Sequence, residues 1–221
     1  MVMTINGVPL TEYRAELLDY KVGVCDYENG YFVPPASMIP VKLTPKIGIR
    51  PIQLTIDFMG DSELEAMLRV SHITAKLQKG AQIMLPDGFF YECVFESASA
   101  PVEKAPWIWQ VKFALSGYRH GSLERHTLTE TDSIFVAGTY KTPAVLKITT
   151  SESSVKVYGI TISNISGEIE INGIKKTVTQ DGVNKFKDTD LVKFPMLEVG
   201  YNEIEIEGNA TVEVSFYPIY L

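Results

Sequence analysis

Between Ile52 and Phe58 apolar and polar residues alternate, with Ile52, Leu54, Ile56 and Phe58 set against Gln53, Thr55 and Asp57. A period of two puts every second side chain on one face, which predicts a strand with one buried and one wet side. The same period returns at Trp107, Trp109, Val111, Phe113 and Leu115. Five large residues on one face predict a core strand. The alternative for the paired tryptophans is a sugar-stacking platform, but their place inside an alternating strand favours the core. Between these strands the period lengthens. Ser62 and Glu65 form a capping box, and Asp61 offers a second cap. Leu64, Met67, Leu68 and Leu77, with Ala75 beside them, recur at helical spacing. Glu65 and Arg69 stand at i,i+4, and Gly80 supplies a stop. The expectation is one helix over about 62–79.

Turn signals divide the rest of the first half. Asn6-Gly7 predicts a tight turn after a short first strand. Val22–Cys25 and Tyr31–Val33 are strand candidates around Asn29-Gly30. Pro86-Asp87-Gly88 predicts a hairpin between 82–85 and 89–96. Residues 34–51 hold Pro34, Pro35, Pro40, Pro45 and Pro51. Proline removes a ladder donor, so this segment is expected to be an extended loop or edge. It is either a long surface loop or an arm that reaches a neighbouring subunit. Residues 97–106 read as a loop. Residues 116–133 lose apolar periodicity and carry Arg119, His120, Arg125 and His126. They read as a solvated connection between two domains, or else as a contact for an acidic partner or neighbouring subunit.

The last third is a run of short strands. Ser166–Ile171 leads into Asn172-Gly173, a pair suited to a type I′ hairpin, and 174–179 returns. Gln180-Asp181-Gly182 turns again. Glu203-Ile204-Glu205-Ile206-Glu207 alternates, breaks at Gly208-Asn209, and 211–216 alternates once more. Several such strands at short spacing predict a β-sandwich. The expected architecture is mainly β, with domains over 1–135, carrying the helix, and 136–221.

Charge and composition narrow the function. The 221 residues carry a net charge of −7, which argues against a general nucleic-acid binder, since that needs a basic patch to neutralise phosphates. No run of 18 apolar residues is present, so no membrane span is expected. The first residues lack a basic stretch and a long apolar stretch, so no signal peptide is expected. Cys25 and Cys93 form no CxxC, and a reducing compartment is expected to keep them as thiols. GxSxG, HExxH and P-loop patterns are absent. His72, on the helix, reads as solvent-facing or satisfied by a partner. His120 and His126 lack a usual metal spacing. Glu203, Glu205 and Glu207 read as a solvated strand face rather than a glycosidase pair. Asp181, Asp188 and Asp190 crowd one loop without the EF-hand spacing. The chain is expected to be no enzyme and to need no cofactor or metal.

One resemblance adds to these readings. Ile169-Glu170-Ile171-Asn172-Gly173, Val178–Asn184, Phe194-Pro195-Met196-Leu197, Gly200-Tyr201-Asn202 and Tyr217-Pro218 follow one another in this order. That order resembles the C-terminal domain of the distal tail proteins of phages with long, non-contractile tails. Asn6-Gly7, Arg50-Pro51-Ile52, the capped helix and Leu85-Pro86-Asp87-Gly88 agree in order with the N-terminal domain of the same family. The resemblance implies an N-terminal ring-forming β domain with one long helix and a galectin-like C-terminal β-sandwich. It further implies a homo-hexameric ring at the distal end of the tail tube, in the virion tail tip, made in the host cytoplasm. Implied partners are the tail-tube protein, a tail-associated tip protein, and receptor-binding or baseplate proteins. DNA would pass through the lumen without specific binding. Pro34, Pro35, Pro40, Pro45 and Arg50 are the candidate subunit-interface residues. The alternative is a carbohydrate-binding module aimed at a host-surface glycan. The galectin-like shape that the resemblance implies makes sugar binding tempting, but the chain has no Trp, Arg or His after His126, so galectin-type binding is not expected.

Overall fold

The computed structural model describes residues 2–25, 27–28, 30–35, 39, 41–42, 46–165 and 167–221. The chain divides into two compact units, Met1–Arg119 with Leu221, and His120–Tyr220. Both are mainly β, and the first carries the one long helix among the described residues.

Unit 1 is built on an antiparallel sheet in the order Val8–Pro9, Thr4–Ile5, Ala81–Met84, Phe90–Ala98, Ile108–His120, Arg50–Met59 and Ala15–Val22. The strand Arg50–Met59 pairs along its whole length with Ile108–Gly117. Its inward residues Ile52, Leu54, Ile56 and Phe58 are at most 1% exposed, as alternation predicts. Val111, Phe113 and Leu115 are buried beside them. The tryptophans depart from the expectation. Trp107 sits in the turn after Val102–Ala105, at φ 62°, and is 52% exposed, while Trp109 is half-buried. The apolar rhythm runs two residues beyond the stretch that packs, because Val102–Ala105 pairs with Ile108–Gln110 and turns the chain at Trp107. The loop expected over 97–106 therefore contains a strand.

The helix runs Glu63–Gln78. The Ser62 side chain accepts from the Glu65 N–H at 3.2 Å, and Glu65 reaches back to the Asp61 N–H at 2.8 Å. The reciprocal bond thus falls one residue earlier than in an ordinary capping box. That bond, followed by the Arg69 pair, holds the Glu65 carboxyl below the usual carboxylate range. Gly80 ends the helix at φ 81°. The buried stripe is Ala66, Val70, Ile73 and Leu77, spaced 4, 3 and 4. Leu64 and Leu68, expected inside, are 70% and 53% exposed. Residue size favoured the leucines; the sheet packs instead against the face of Val70, Ile73 and Leu77.

Unit 2 has one large sheet in the order Glu124–Leu128, Ala210–Phe216, Thr142–Thr150, Gly167–Asn172, Thr177–Gln180 and Val183–Asn184. Two smaller sheets join Asp132–Val136 to Gly200–Ile204, and Ser154–Val157 to both Ile160–Ser163 and Ile206–Glu207. Inward residues of all three, among them Ile134, Val136, Ile148, Val157, Ile204 and Val212, belong to one apolar core. Sheets that share one core across their faces form a sandwich. The stretch 116–133, expected as a connection, is largely strand: Ile108–His120 runs into it, and Glu124–Leu128 pairs with Phe216–Val212. The break between units consequently falls at 119/120 and not near 136.

Of three paired-residue turns, two take the expected form and one does not. Asn6 and Gly7 both have positive φ and join Ile5 to Val8, as expected of a type I′ turn. Asp181 and Gly182 do the same between Gln180 and Val183. Asn172-Gly173 does not. The buried Asn172 carboxamide accepts from Ile174 N–H (3.1 Å) and Lys175 N–H (2.9 Å), and the turn extends to Lys176. Gly173 is required for a different reason. A Cβ there would lie 2.4 Å from the Ala144 carbonyl oxygen and 2.6 Å from that of Pro195.

Two outcomes follow for stability. Gly173→Ala forces two backbone segments apart and is expected to cost about 2 kcal/mol or more, measured by urea unfolding. Cys93 is buried, and burial pushes its thiol from 9.0 up to about 12. In the unfolded chain the thiol ionises first, so the native state binds the extra proton between these values. Stability from this group is complete below pH 9 and falls as pH rises towards 12. Cys93→Ala is expected to flatten that alkaline loss in melting curves.

Candidate oligomer and docking surfaces

The proline-bearing segment leaves the sheet at Val22, which pairs with Ile52, and returns at Arg50. Its first residue is tightly placed: Gly23 donates to the Pro51 carbonyl at 2.8 Å, and a Cβ at Gly23 would meet the Pro51 ring at 2.7 Å. Arg50 is buried at 4% exposure and reaches the Gly23 carbonyl (3.5 Å) and the Cys25 Sγ (3.6 Å). Beyond this base the segment pairs with itself. Tyr27 and Glu28 face Ile47 and Lys46, and Tyr31 and Phe32 face Lys42 and Val41. The structure therefore makes it a two-stranded arm where an extended loop was one expectation.

The arm presents apolar groups to solvent. Val24, Tyr31, Phe32 and Val33 are 84%, 70%, 54% and 48% exposed. Scattered single hydrophobes are ordinary on a surface, but consecutive ones such as Tyr31, Phe32 and Val33 form a patch. Of the expected interface residues, Pro34 is half-buried and Pro35 exposed. Pro40 and Pro45 lie outside the described residues, as does Asn29 of the expected turn. Arg50 is corrected in role: a side chain this buried holds the arm's base within its own chain and presents no surface.

Of Arg119, His120, Arg125 and His126, three have partners within their own chain. The Arg119 guanidinium lies 4.5 Å from the Phe89 ring centroid and donates to the Leu221 carbonyl at 3.2 Å. Nearby, the Tyr91 hydroxyl donates to Asp87 at 2.5 Å; burial first, then that carboxylate, raises its pKa. His120 is 2% exposed, with Nδ1 2.7 Å from the Gly121 carbonyl and its ring edge-on to Tyr217. His126 stacks on Phe216 at 5.8 Å. Strand pairing, invisible in the spacing, distributes Arg119, His120 and His126 to different neighbours, so the stretch is no solvated connection; Arg125 stays exposed.

The acidic residues show no convergence. Glu203, Glu205 and Glu207 are exposed, as their alternation predicts. Lys156 pairs with Glu207 at 2.6 Å and Glu205 at 3.9 Å. Asp188 accepts from Asn164, and that bond, with Lys185, lowers its pKa. Among the described residues no three acidic, histidine or cysteine groups are gathered as a metal site would need. No helix there is long and apolar enough to cross a membrane. Phe135 and Tyr201 form an exposed cross-strand pair in unit 2, but their rings meet edge to face at 62°, so they share no flat stacking platform.

The architecture is that of a two-unit, mainly β protein with one long helix in its first unit. No protein-family model matches the chain, and no curated protein matches it in sequence. Solved structures do. The crystal structure of SPP1 Dit (gp 19.1), described as a paradigm of the hub adsorption apparatus in phages infecting Gram-positive bacteria, matches at a TM-score of 0.75. The identity is 14%, and the match covers 100% of this chain and 99% of that one. A chain of the phage P2 baseplate in its activated conformation with Ca matches at 0.57, with 11% identity, over 97% and 98% of the two chains. The chain has the distal tail protein (Dit) fold, as the order of its motifs implied.

The arm's base and its tip are expected to behave differently. Arg50→Ala removes a buried guanidinium and takes a donor from the Gly23 carbonyl, and is expected to lower stability by about 2 kcal/mol. Pro35→Ala, on the exposed arm, is expected to leave the melting midpoint unchanged. Parallel thermal melts of the two variants check this.

Proposed function

We propose that the chain is a structural hub protein of a phage tail. Copies close into a ring, a hexamer by the resemblance, at the distal end of the tail tube. The ring joins the tube to a tail-associated tip protein, carries receptor-binding or baseplate proteins, and leaves a lumen through which DNA passes. The carrying observation is the end-to-end agreement with SPP1 Dit: both units, in one chain and in the same order, match over 100% of the residues. A shared element would speak for a common module. A shared whole chain speaks for a common way of building.

The physical features fit this reading. Head-to-tail contacts that close on rotation need two different patches on each copy. The apolar arm is one such patch, and Pro34 and Pro35 stiffen the backbone leading to its tip. The net charge of −7 keeps duplex DNA from adhering non-specifically to a conduit wall. The role is assembly, and no convergent set of reactive groups accompanies it among the described residues.

The test is self-association of the full chain followed by light scattering, with the protein located in whole particles by electron microscopy. Rings at high protein concentration and density at the distal tail are the expected results. Absence from the tail axis in assembled particles overturns the proposal. Tyr31→Ser with Phe32→Ser removes exposed rings that a neighbour would bury. Burying such a side chain contributes about 1.5–3 kcal/mol, so the association constant is expected to fall roughly tenfold or more. The monomer's melting midpoint should not change.

A further inference from the structure

We infer that unit 2 carries a cationic, aromatic docking surface at the free end of its large sheet, built for an extended acidic protein segment with apolar side chains. It rests on the hub reading and specifies one of the docking surfaces that reading requires. The large sheet ends at Val183–Asn184, whose outer side has no strand partner among the described residues. An edge with free N–H and C=O groups accepts an added strand. Val183 is 61% exposed there. Next along the chain, Phe186 and Phe194 lie with ring centroids 6.3 Å apart, and Phe186 is 43% exposed. The Lys176 ammonium stands 5.3 Å from the Phe194 centroid.

Charge completes the surface. Lys175, Lys176, Lys187 and Lys193 are exposed; Lys187 and Lys193 adjoin the rings in sequence, and Lys176 reaches Phe194 in space. None forms an ion pair among the described residues. Two of the neighbouring acids have partners of their own. Asp188 is held by Asn164 at 3.1 Å and Lys185 at 3.4 Å, and Asp190 accepts from the Thr161 N–H at 2.7 Å. Asp181 is placed in its tight turn at φ 50°. Residues 174–194 thus hold five lysines against three aspartates, in a chain with 27 acidic and 20 basic residues. Ammonium groups around an exposed apolar patch steer and orient an acidic ligand. A phosphate polymer would satisfy the lysines alone. The exposed rings, Val183 and the open edge favour a peptide, which offers carboxylates, apolar groups and backbone partners together.

The test titrates the full chain into a fluorescein-labelled peptide alternating glutamate and valine, followed by anisotropy. A lysine-for-glutamate peptide and inorganic polyphosphate serve as comparisons. Saturable binding to the acidic peptide alone, weakened by salt, is expected. Reversing charge with Lys176→Glu, Lys187→Glu and Lys193→Glu is expected to weaken it roughly tenfold or more. Phe186→Ser is expected to weaken it about fivefold at unchanged salt dependence. Should the reversal variant melt early, the triple Lys→Ala variant takes its place. Absence of saturable binding overturns the inference. Displacement of the peptide by polyphosphate with no effect of Phe186→Ser also overturns it, and assigns the surface to phosphate. Self-association is measured on the same variants. Intact rings without peptide binding count against this surface alone, whereas peptide binding without rings counts against the hub reading alone.

Discussion

Unit 1 depends on one strand being gripped from both sides. Arg50–Met59 is paired with Ile108–Gly117 along one edge and with Ala15–Val22 along the other. A central strand satisfies its backbone groups on both edges, so its register cannot slip without inverting every side chain. Ile52, Leu54, Ile56 and Phe58 fix that register by burying one face completely. Everything else is placed relative to it. The helix lays Val70, Ile73 and Leu77 into the same core. The arm begins and ends where this strand and its neighbour stop pairing, at Val22 and Arg50. The proline at 51 is tolerated because it sits at the start of the strand, beside the arm's base.

Unit 2 solves a different problem. Among its described residues it has no helix of comparable length, and its core draws Ile, Val and Leu from many short strands. Short strands give little register information individually. Close backbone approach supplies it instead. Gly173 packs against the Ala144 and Pro195 carbonyls, and its N–H donates to that of Ala144 at 2.8 Å. Asn202 plays a similar part through its side chain, accepting from Glu198 N–H and donating to the Glu198 and Gly200 carbonyls. Buried amides of this kind fix one arrangement of loops over an apolar core that would accept several.

Much of this was legible in the chain. Alternation located the Ile52–Phe58 strand, the Glu203–Glu207 face and the Val111–Leu115 core. Paired turn residues located the Asn6-Gly7 and Asp181-Gly182 hairpins, because positive φ at two successive positions leaves few choices. What failed has a common cause: each failure needed a distant partner. Asn172-Gly173 looks like the other hairpins until Ala144 and Pro195 are brought beside it. Leu64 and Leu68 look like core until the sheet is brought against the face of Val70, Ile73 and Leu77. Arg119, His120 and His126 look like a basic connection until Phe89, Tyr217 and Phe216 pack against them. Arg50 looked like an interface residue because its neighbours are prolines, and Gly23 and Cys25 claim it. The proposed docking surface is not legible in the sequence, where the three aspartates of the loop stand out more than its lysines. Two of those aspartates have local partners, and the exposed lysines form no ion pair among the described residues.

The two candidate surfaces differ in the kind of contact they favour, and that difference bears on how a hub must work. Contacts between identical copies are permanent and repeat around an axis, so they favour apolar burial, which is strong and insensitive to salt. The arm, with Tyr31, Phe32 and Val33 exposed, has that character. A partner that joins after the ring has formed must find one site among many copies. Long-range attraction speeds that search, whereas apolar contact acts only on touching. The lysines around Phe186 and Phe194 have that character. Placing them in a chain of net charge −7 adds a constraint: carboxylate-rich surfaces elsewhere repel the same acidic partner. Selectivity between the two surfaces then follows from charge alone, since an acidic segment is attracted to the end of the sandwich sheet and gains little from the apolar arm.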